Sequence, residues 1–300
     1  MLSANNKQSG IAIVSVLVVV ALVSVSIVSI WDQQHKNYTS TKYQLDLQKN
    51  LRYLHSFELW AKTIIQNNNE TVDHLHENWA IPISAVEVDN GRMSGKLIDL
   101  QSRLNINNLV QFDEDFKRVL GRRSSYQNCL DVLNNNLNQF KISESVYSYI
   151  DQIGSRPIAD ESELQKVNNF DYEKYQQIKP FVFAVSQLAP ININTADKEI
   201  LTCLSSKEFE GLDSYIMDYR QAQSFTSIDD FWSFVDQKYP DMLLEQVKAT
   251  FPANLVSVNS QHFLLESIIE INNKKLIAST VFYRKDKMVN IIKRSYYLKP

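Results

Sequence analysis

The chain has 300 residues, of which 44% are hydrophobic and 11% aromatic, and its formal net charge is -3 at pH 7. This composition is that of a folded protein with a sizeable core, and the small net charge argues against a nucleic-acid binder. Residues 111–255 contain 14 basic and 22 acidic residues, whereas residues 256–300 contain 8 basic and 3 acidic. The largest region of the chain, residues 111–255, is therefore too acidic to form a basic surface for nucleic-acid binding.

The first feature along the chain is an uncharged, apolar segment at residues 11–31, in which the only small polar side chains are serines. As a helix these residues would extend roughly 31 Å, which spans the hydrocarbon core of a bilayer. The apolar part of an ordinary secretory signal is only about 7–15 residues long, and no small-residue cleavage site follows this one. The segment therefore predicts a single membrane-spanning helix.

Ten residues precede this segment and read MLSANNKQSG, with Lys7 as the only charged side chain and Gly10 at the end. A plain membrane anchor explains the hydrophobicity that follows but leaves Gly10 unexplained. Alternatively, residues 1–10 resemble the leader of type IV pilin-like proteins. That resemblance implies cleavage between Gly10 and Ile11 by a prepilin peptidase on the cytoplasmic side, and N-methylation of Ile11.

The fifth residue of a chain processed in this way is Ser15, where most pilin-like proteins carry a glutamate. A carboxylate in lipid is costly unless it is paired, and its usual partner in this class is the N-terminal amine of the subunit ahead in a filament. A serine at this position therefore predicts a subunit with no other subunit ahead of it, at the filament tip.

Beyond Trp31 apolar residues recur every three or four positions, which is typical of an amphipathic helix. No glycine or proline interrupts residues 11–81, so the membrane helix is predicted to continue, to pack its C-terminal half onto a domain and to end in the polar cluster at Asn67–Glu70. Ser15 and the first four residues of the apolar stripe are candidates for packing against partner helices. The stripe comprises Tyr43, Leu47, Leu51, Leu54, Phe57, Ala61 and Ile64.

Strands are predicted on both sides of a long, mostly helical region. Residues 86–88 form a strand that ends in the turn signal Asp89-Asn90-Gly91, and residues 96–100 alternate as a second strand. At the far end, three alternating runs are separated by polar turns and predict an antiparallel meander. These runs are residues 262–271, 275–284 and 288–298.

Four sequence blocks, taken in chain order, resemble a known family. They are the leader that ends in Gly10, the segment Glu77-Asn-Trp79-Ala80, the segment IDLQSRLNINNL at 98–109, and the segment PININTA at 190–196. Together they resemble the K family of minor pseudopilins of the general (type II) secretion pathway, and the similarity covers nearly the whole chain.

This resemblance implies an α+β, type IV pilin-like fold, with a long N-terminal helix and a small antiparallel sheet that a large all-α domain interrupts. The implied parts are a leader (1–10), a transmembrane segment (11–31), an amphipathic helix with the first strands (32–110), a helical insert (111–255) and the last strands (256–300).

The resemblance also implies a non-enzymatic subunit at the tip of the pseudopilus, which nucleates and caps the filament for export of folded proteins across the outer membrane. The implied partners are minor pseudopilins I and J, a prepilin peptidase and the bacterial inner membrane, but no nucleic acid. The chain would cross that membrane once, with its C-terminal domain in the periplasm.

Residues 191–236 carry a second resemblance, to the helix-hairpin-helix module of competence DNA receptors, so a membrane-anchored DNA receptor is the alternative function. The DNA-binding module needs a glycine-rich hairpin whose amides meet a phosphate. The hairpin here, at residues 205–211, contains one glycine and two glutamates in a net acidic region. We therefore expect a structural helical module.

Two clusters are candidates for a metal site. Asp151, Asp160 and Glu161 align with a family region associated with calcium, so the resemblance implies calcium there. Calcium takes about six to eight oxygen ligands, and several of the family's acids are replaced in this chain; the alternative is a polar loop that caps the next helix. His74 and His76 are two residues apart, which is poor chelating geometry on a helix and favours exposed polar residues.

The two cysteines, Cys129 and Cys203, lack the spacing of metal ligands. They are consistent with a single disulfide in an oxidising compartment or with two buried thiols. The sequence contains no nucleophile elbow, P-loop or zinc-protease helix. We therefore expect no enzymatic activity and no required cofactor.

Overall fold

A computed structural model of the chain describes residues 6–135, 142–168, 170–205, 209–242, 245, 248 and 254–299, with side chains from residue 12 onward except at 134 and 135. The helices are α1 (Asn6–Asn67), α2 (Ser124–Asn135), α3 (Ile142–Gln152), α4 (Tyr172–Ile178), α5 (Lys198–Leu201), α6 (Leu212–Ala222) and α7 (Ile228–Lys238). The strands are β1 (Ile83–Val88), β2 (Gly91–Asp99), β3 (Leu104–Asn105), β4 (Val110–Phe112), β5 (Val119–Arg122), β6 (Val182–Phe183), β7 (Ile191–Asn192), β8 (Val256–Ser257), β9 (His262–Ile271), β10 (Lys274–Lys285) and β11 (Met288–Lys299).

One antiparallel sheet contains all five predicted strands, in the order β1–β2–β9–β10–β11. The β9–β10 turn is tight because Asn272 and Asn273 both adopt positive φ, as a two-residue hairpin requires. The centre of the sheet is the long-range pair β2–β9, which runs from Gly91 opposite Ile271 to Asp99 opposite Phe263. The fold predicted from the sequence, a long helix with a small antiparallel sheet, is confirmed.

Helix α1 packs its C-terminal half across one face of this sheet and ends at Asn67, at the start of the predicted polar cluster. Leu54, Phe57 and Ala61 are buried there. A close approach is needed under Phe57, because a Cβ atom at Gly95 would lie 2.8 Å from the phenyl ring. Only glycine leaves that space, so Gly95 lets the helix contact the sheet directly.

Two buried carboxylates also bind α1 to the sheet. Asp46 accepts hydrogen bonds from Asn272 (2.9 Å) and Lys274 (3.0 Å) in the β9–β10 turn. Glu58 accepts from the hydroxyl of Thr280 on β10 (2.7 Å), and its carboxylate pairs with Arg294 on β11. Hydrogen bonds to charged groups are stronger than neutral ones, so these contacts fix the register of the helix along the sheet.

The polypeptide between β2 and β9 forms a second unit, which we call the insert (residues 100–261). It is mostly helical and adds three short strand pairs, β3–β6, β4–β5 and β7–β8. Its core extends before the predicted start at residue 111, because Leu104, Ile106 and Leu109 are fully buried in it. It also extends beyond the predicted end at residue 255, because β8 pairs with β7.

A disulfide joins Cys129 of α2 to Cys203, in the short 3₁₀ turn that follows α5. The bridge connects segments 74 residues apart in sequence. It therefore cross-links the first and second halves of the insert. The sequence left open a disulfide or two buried thiols, and the structure contains the disulfide.

A buried group of polar side chains, which we call the junction network, joins the insert to the sheet and to the end of α1. Its members are Asp73, Asp99, Asn192, Thr195, Ser260 and Arg284, all less than 4% exposed. The carboxylate of Asp99 accepts from Thr195 Oγ1 (2.5 Å), Ser260 Oγ (2.6 Å) and Asn192 Nδ2 (3.1 Å). Asn192 and Thr195 belong to the turn at 192–195 and Ser260 follows β8, so one carboxylate joins the end of β2 to two other segments.

Asp73 supplies the second carboxylate of the junction network and its ionic contact. Asp73 Oδ2 accepts from Arg284 Nη2 (2.5 Å) and from the backbone N–H of Ser260 (2.7 Å). Burial raises the pKa of Asp73 to about 6, although Arg284 acts in the opposite direction. Burial also raises the pKa of Asp99. Arg284 thus pairs with Asp73, whereas the side chains that donate to Asp99 are neutral.

We predict that the contribution of Asp73 to the free energy of unfolding falls by about 3 kcal/mol between about pH 4 and pH 7. The folded-state pKa of about 6 exceeds the ordinary value of 3.8, so the folded state binds the proton more tightly and loses that advantage as the pH rises through 6. Urea titrations of the wild type and Asp73→Asn at several pH values measure this as a pH-dependent difference between the two proteins.

Asp46→Asn is the matched control for this pH series. Hydrogen bonding by Lys274 and Asn272 lowers the pKa of Asp46, so the wild type should gain stability relative to this variant as the pH rises through the acid range. A difference between wild type and Asp73→Asn that stays constant with pH would contradict the assignment of a raised pKa.

We further predict that reducing the Cys129–Cys203 bridge lowers the free energy of unfolding by about 2–4 kcal/mol, because it closes a long loop. The urea midpoint of the wild type should fall on addition of dithiothreitol. The double variant Cys129→Ser/Cys203→Ser should start from a low midpoint and not respond to the reductant. An unchanged wild-type midpoint would show that the bridge does not contribute to stability.

Candidate assembly surface

The N-terminal part of α1 extends away from the folded domain that the structure describes. Residues 12–45 are all exposed. Within the described residues, α1 is the one helix long and apolar enough to cross a membrane. The predicted membrane anchor is thus a helix that the rest of the chain leaves uncovered. Gly10 and Ile11 are part of this helix in the structure, and their side chains lie outside the described set.

Ser15 lies within the apolar part of α1. Its hydroxyl donates to the carbonyl of Ala12 at 2.9 Å, so the polar group is hydrogen-bonded inside its own helix. Ser24 and Ser26 bond in the same way to carbonyls four residues earlier. Such bonds satisfy serine hydroxyls in an apolar medium, which explains why serines occur in this segment without a charged partner.

A line of large exposed side chains runs along α1 on the face opposite the sheet. Trp31, Tyr38 and Leu45 recur every seven residues, and Leu59 continues the line after the polar Arg52. Tyr38, Leu45 and Leu59 are 66%, 57% and 51% exposed. Residues spaced by seven lie on one side of a helix. We call these residues the outer stripe, and the sequence analysis did not identify it.

The positions predicted to pack against partner helices lie elsewhere around α1. Leu54 is buried against Ile269 and neighbouring residues of the sheet, so its prediction as a partner contact is wrong: the stripe it belongs to faces the chain's own sheet. Leu47 and Leu51 are half-buried at the edge of that face. Tyr43 is exposed, with the ammonium of Lys274 4.6 Å from its ring.

The segment that suggested a DNA-binding module is used inside the fold. Asn194 donates to the carbonyl of Phe225 and accepts from the N–H of the same residue, both at 2.9 Å. Asn192 and Thr195 belong to the junction network. These buried side chains face no solvent and so present nothing to a phosphate. Part of the predicted hairpin, residues 206–208, lies outside the described residues.

The Glu77-Asn-Trp79-Ala80 block also has a structural role. Glu77 Oε2 accepts from Trp79 Nε1 (2.7 Å) and from the N–H of His74 (2.9 Å). Trp79 is buried with its ring edge-on to Phe263 of β9. The block therefore closes the turn between α1 and the sheet, and His76 is exposed beside it.

The three acids predicted to bind calcium are not brought together. Asp151 is exposed near the end of α3. Asp160 caps the following 3₁₀ turn by accepting from the N–H of Ser162 (2.8 Å), and Glu161 is the first residue of that turn. Among the residues that the structure describes, no three His, Cys, Asp or Glu side chains cluster closely enough to hold a metal ion.

Comparison with known proteins places this arrangement among secretion components. No protein-family model matches the chain. Two curated relatives are named type II secretion system protein K. The one from Pseudomonas aeruginosa is 25% identical, and the alignment covers 96% of this chain and 92% of the relative. The one from Klebsiella pneumoniae is 21% identical, and the alignment covers 97% of both chains.

A solved structure has the same fold. A chain of the crystal structure of the GspK-GspI-GspJ complex from the type 2 secretion system of enterotoxigenic Escherichia coli superposes with a TM-score of 0.69 and 24% identity. The match covers 86% of this chain and 99% of that chain. The resemblance seen in the sequence is therefore confirmed: this chain is a homologue of type II secretion system protein K.

Proposed function

We propose that the chain is a minor pseudopilin at the tip of a type II secretion pseudopilus, where it nucleates and caps the filament. The observation that carries this proposal is the similarity to type II secretion system K proteins over nearly the whole chain. It is joined by a long apolar helix whose N-terminal part is exposed among the described residues. An exposed apolar helix of this length needs lipid before assembly and other helices after it.

Two features of the structure support a position at the tip. Ser15 meets its hydrogen-bonding need within α1, so the helix requires no charged partner from a subunit ahead. The insert adds a second folded unit to the side of the sheet domain, and such a bulky unit hinders stacking of a further subunit above it. The role is that of a structural component, and its chemistry is helix packing.

The proposed partners are minor pseudopilins I and J of the same pathway. The similar solved chain comes from a complex with those two proteins, and the outer stripe offers apolar side chains at the spacing that a second helix would meet. The chain would cross the inner membrane once, with its folded part in the periplasm. The Cys129–Cys203 bridge agrees with that oxidising compartment.

We predict that a prepilin peptidase removes residues 1–10 and that the new terminus at Ile11 is methylated. Intact-mass and N-terminal analysis of the chain expressed with and without the peptidase should give a methylated Ile11 terminus only when the enzyme is present. Gly10→Val should stay uncleaved because the side chain crowds the scissile bond, whereas Ser3→Val should be processed. A Met1 terminus in all samples would contradict leader processing and leave an uncleaved anchor.

We predict that Leu59→Arg weakens binding to co-expressed pseudopilins I and J about 30-fold, the loss typical of an interface hot spot, while the thermal midpoint changes little because Leu59 is exposed. Leu120→Arg is the matched control, since Leu120 is 60% exposed on β5 of the insert and should retain binding. Leu54→Arg should instead unfold the sheet domain. Full binding by Leu59→Arg would remove the outer stripe as the partner face.

A further inference from the structure

The insert and the uncovered face of the sheet enclose a groove of about 1000 Å³. Lys293 of β11 lies on one wall of this groove, and Asp160 and Glu161 of the insert lie on the opposite wall. The same two acids are those that the sequence suggested as calcium ligands. The groove is therefore bridged by an ammonium at the place where a cation was expected.

The ammonium of Lys293 contacts both acids. Its Nζ atom is hydrogen-bonded to Asp160 Oδ2 and lies 3.9 Å from Glu161 Oε2. The other oxygen of Asp160 accepts from the N–H of Ser162 at 2.8 Å. Partial burial raises the pKa of Asp160, but hydrogen bonds from Lys293 and Ser162 outweigh burial and lower it below its ordinary value.

The other carboxylate of this loop is also satisfied by protein donors. Glu163 Oε1 accepts from the N–H of Ala159 (2.8 Å), and Glu163 Oε2 accepts from the hydroxyl of Tyr149 (2.9 Å) and from Arg156 (3.2 Å). An oxygen that already accepts a short, well-directed hydrogen bond has to lose it before it can ligate a metal. Glu163 is therefore unsuited to coordinate calcium here.

Two backbone carbonyls of the loop have partners as well. The carbonyl of Ile158 accepts from Asn107 Nδ2 at 2.8 Å, and that of Pro157 accepts from Arg156 at 2.9 Å. Calcium requires about six to eight oxygen ligands within one site. The carboxylates of Asp160 and Glu163 and these two carbonyls are engaged by nitrogen and hydroxyl donors, and Asp151 is not grouped with them. Glu161 alone cannot supply the ligands that remain, so the residues present do not fit a calcium ion.

We propose that Lys293 takes the place of a bound cation in this chain. Its ammonium neutralises Asp160 and Glu161, joins the insert to β11, and makes the loop at 156–163 independent of calcium. We call the contact of Lys293 with these two acids the lysine clamp. A tethered ammonium is always present at the site, so the insert keeps its orientation on the sheet whatever the calcium concentration outside the inner membrane. This inference concerns the fold of the chain and does not depend on the proposed function.

The first test is the calcium response of the full-length wild type in detergent. Its thermal midpoint in excess EDTA and in excess CaCl₂ should agree to within about 1 °C, because a cation that binds only the folded state would raise the midpoint by several degrees. Calorimetric titration with CaCl₂ should show no stoichiometric heat. A calcium-dependent rise with stoichiometric binding would overturn the proposal, and neither result requires a variant to fold.

The second test removes the clamp. Lys293→Gln should lower the thermal midpoint by about 2 °C, which corresponds to a partly exposed ion pair. Lys179→Gln is the control, because Lys179 lines the same groove, is exposed just after α4 and has only the ring of Tyr175 near its ammonium, at 5.9 Å; its midpoint should stay close to the wild-type value. A wild-type midpoint in Lys293→Gln would overturn the clamp.

A double-mutant cycle identifies the partner of Lys293. Asp160→Asn retains an oxygen to accept from Ser162 but loses the charge that faces the ammonium. If the two residues act together, the midpoint of Lys293→Gln/Asp160→Asn should be no lower than that of the worse single variant. Additive losses would overturn the assignment of Asp160 as the partner.

Discussion

The structure depends on one buried carboxylate, that of Asp99. It lies where β2 leaves the sheet and the insert begins, and it accepts hydrogen bonds from the turn at 192–195 within the insert and from Ser260 at the end of the insert. A carboxylate in this position costs desolvation energy unless donors surround it. Here hydroxyl, amide and backbone N–H groups do so, and the result is a junction that specifies how the insert leaves and re-enters the sheet. An apolar junction would bury surface but would not specify which segments meet, because apolar contacts have no directional preference.

Helix α1 illustrates how one element serves two environments. One side buries Leu54, Phe57 and Ala61 in the core, while the outer stripe on the other side is exposed in the part of the chain that the structure describes. The inward contacts include Asp46 and Glu58, whose charged hydrogen bonds define the register of the helix on the sheet. These contacts hold the C-terminal half of α1 in one position on the sheet.

The sequence predicted the elements better than their partners. The C-terminal meander was predictable because strict alternation, broken by polar turns, is a local signal. The pairing of β2 with β9 was not, because the insert separates the two strands. Asp46 and Glu58 were missed because acids on a helix are ordinarily exposed, and only the sheet supplies their partners. The role of Asn194 was likewise not predictable, because its side chain binds the backbone of Phe225 far along the chain.

The outer stripe and the lysine clamp were also not predicted from the sequence. The outer stripe escaped notice because Arg52 interrupts it and because the denser inward stripe dominates the helical pattern. The seven-residue spacing from Trp31 was the available signal. The basic residues of β11 gave no sequence signal of buried or paired partners. Lys293 and Arg294 are in fact paired with acids from the insert and from α1, and no local pattern in β11 indicates those partners.

The β2–β9 pair also determines the order in which the molecule can become complete. The central strand pair joins residues near the first third of the chain to residues near its end, so the sheet cannot close until the last strands have been synthesised. Pairing across so long a separation is slow because the intervening chain must first be brought into place. Until then the apolar side of α1 has no sheet to cover it, although the membrane end of the same helix can already be inserted. Folding of this chain is thus a process in which its anchor precedes its core.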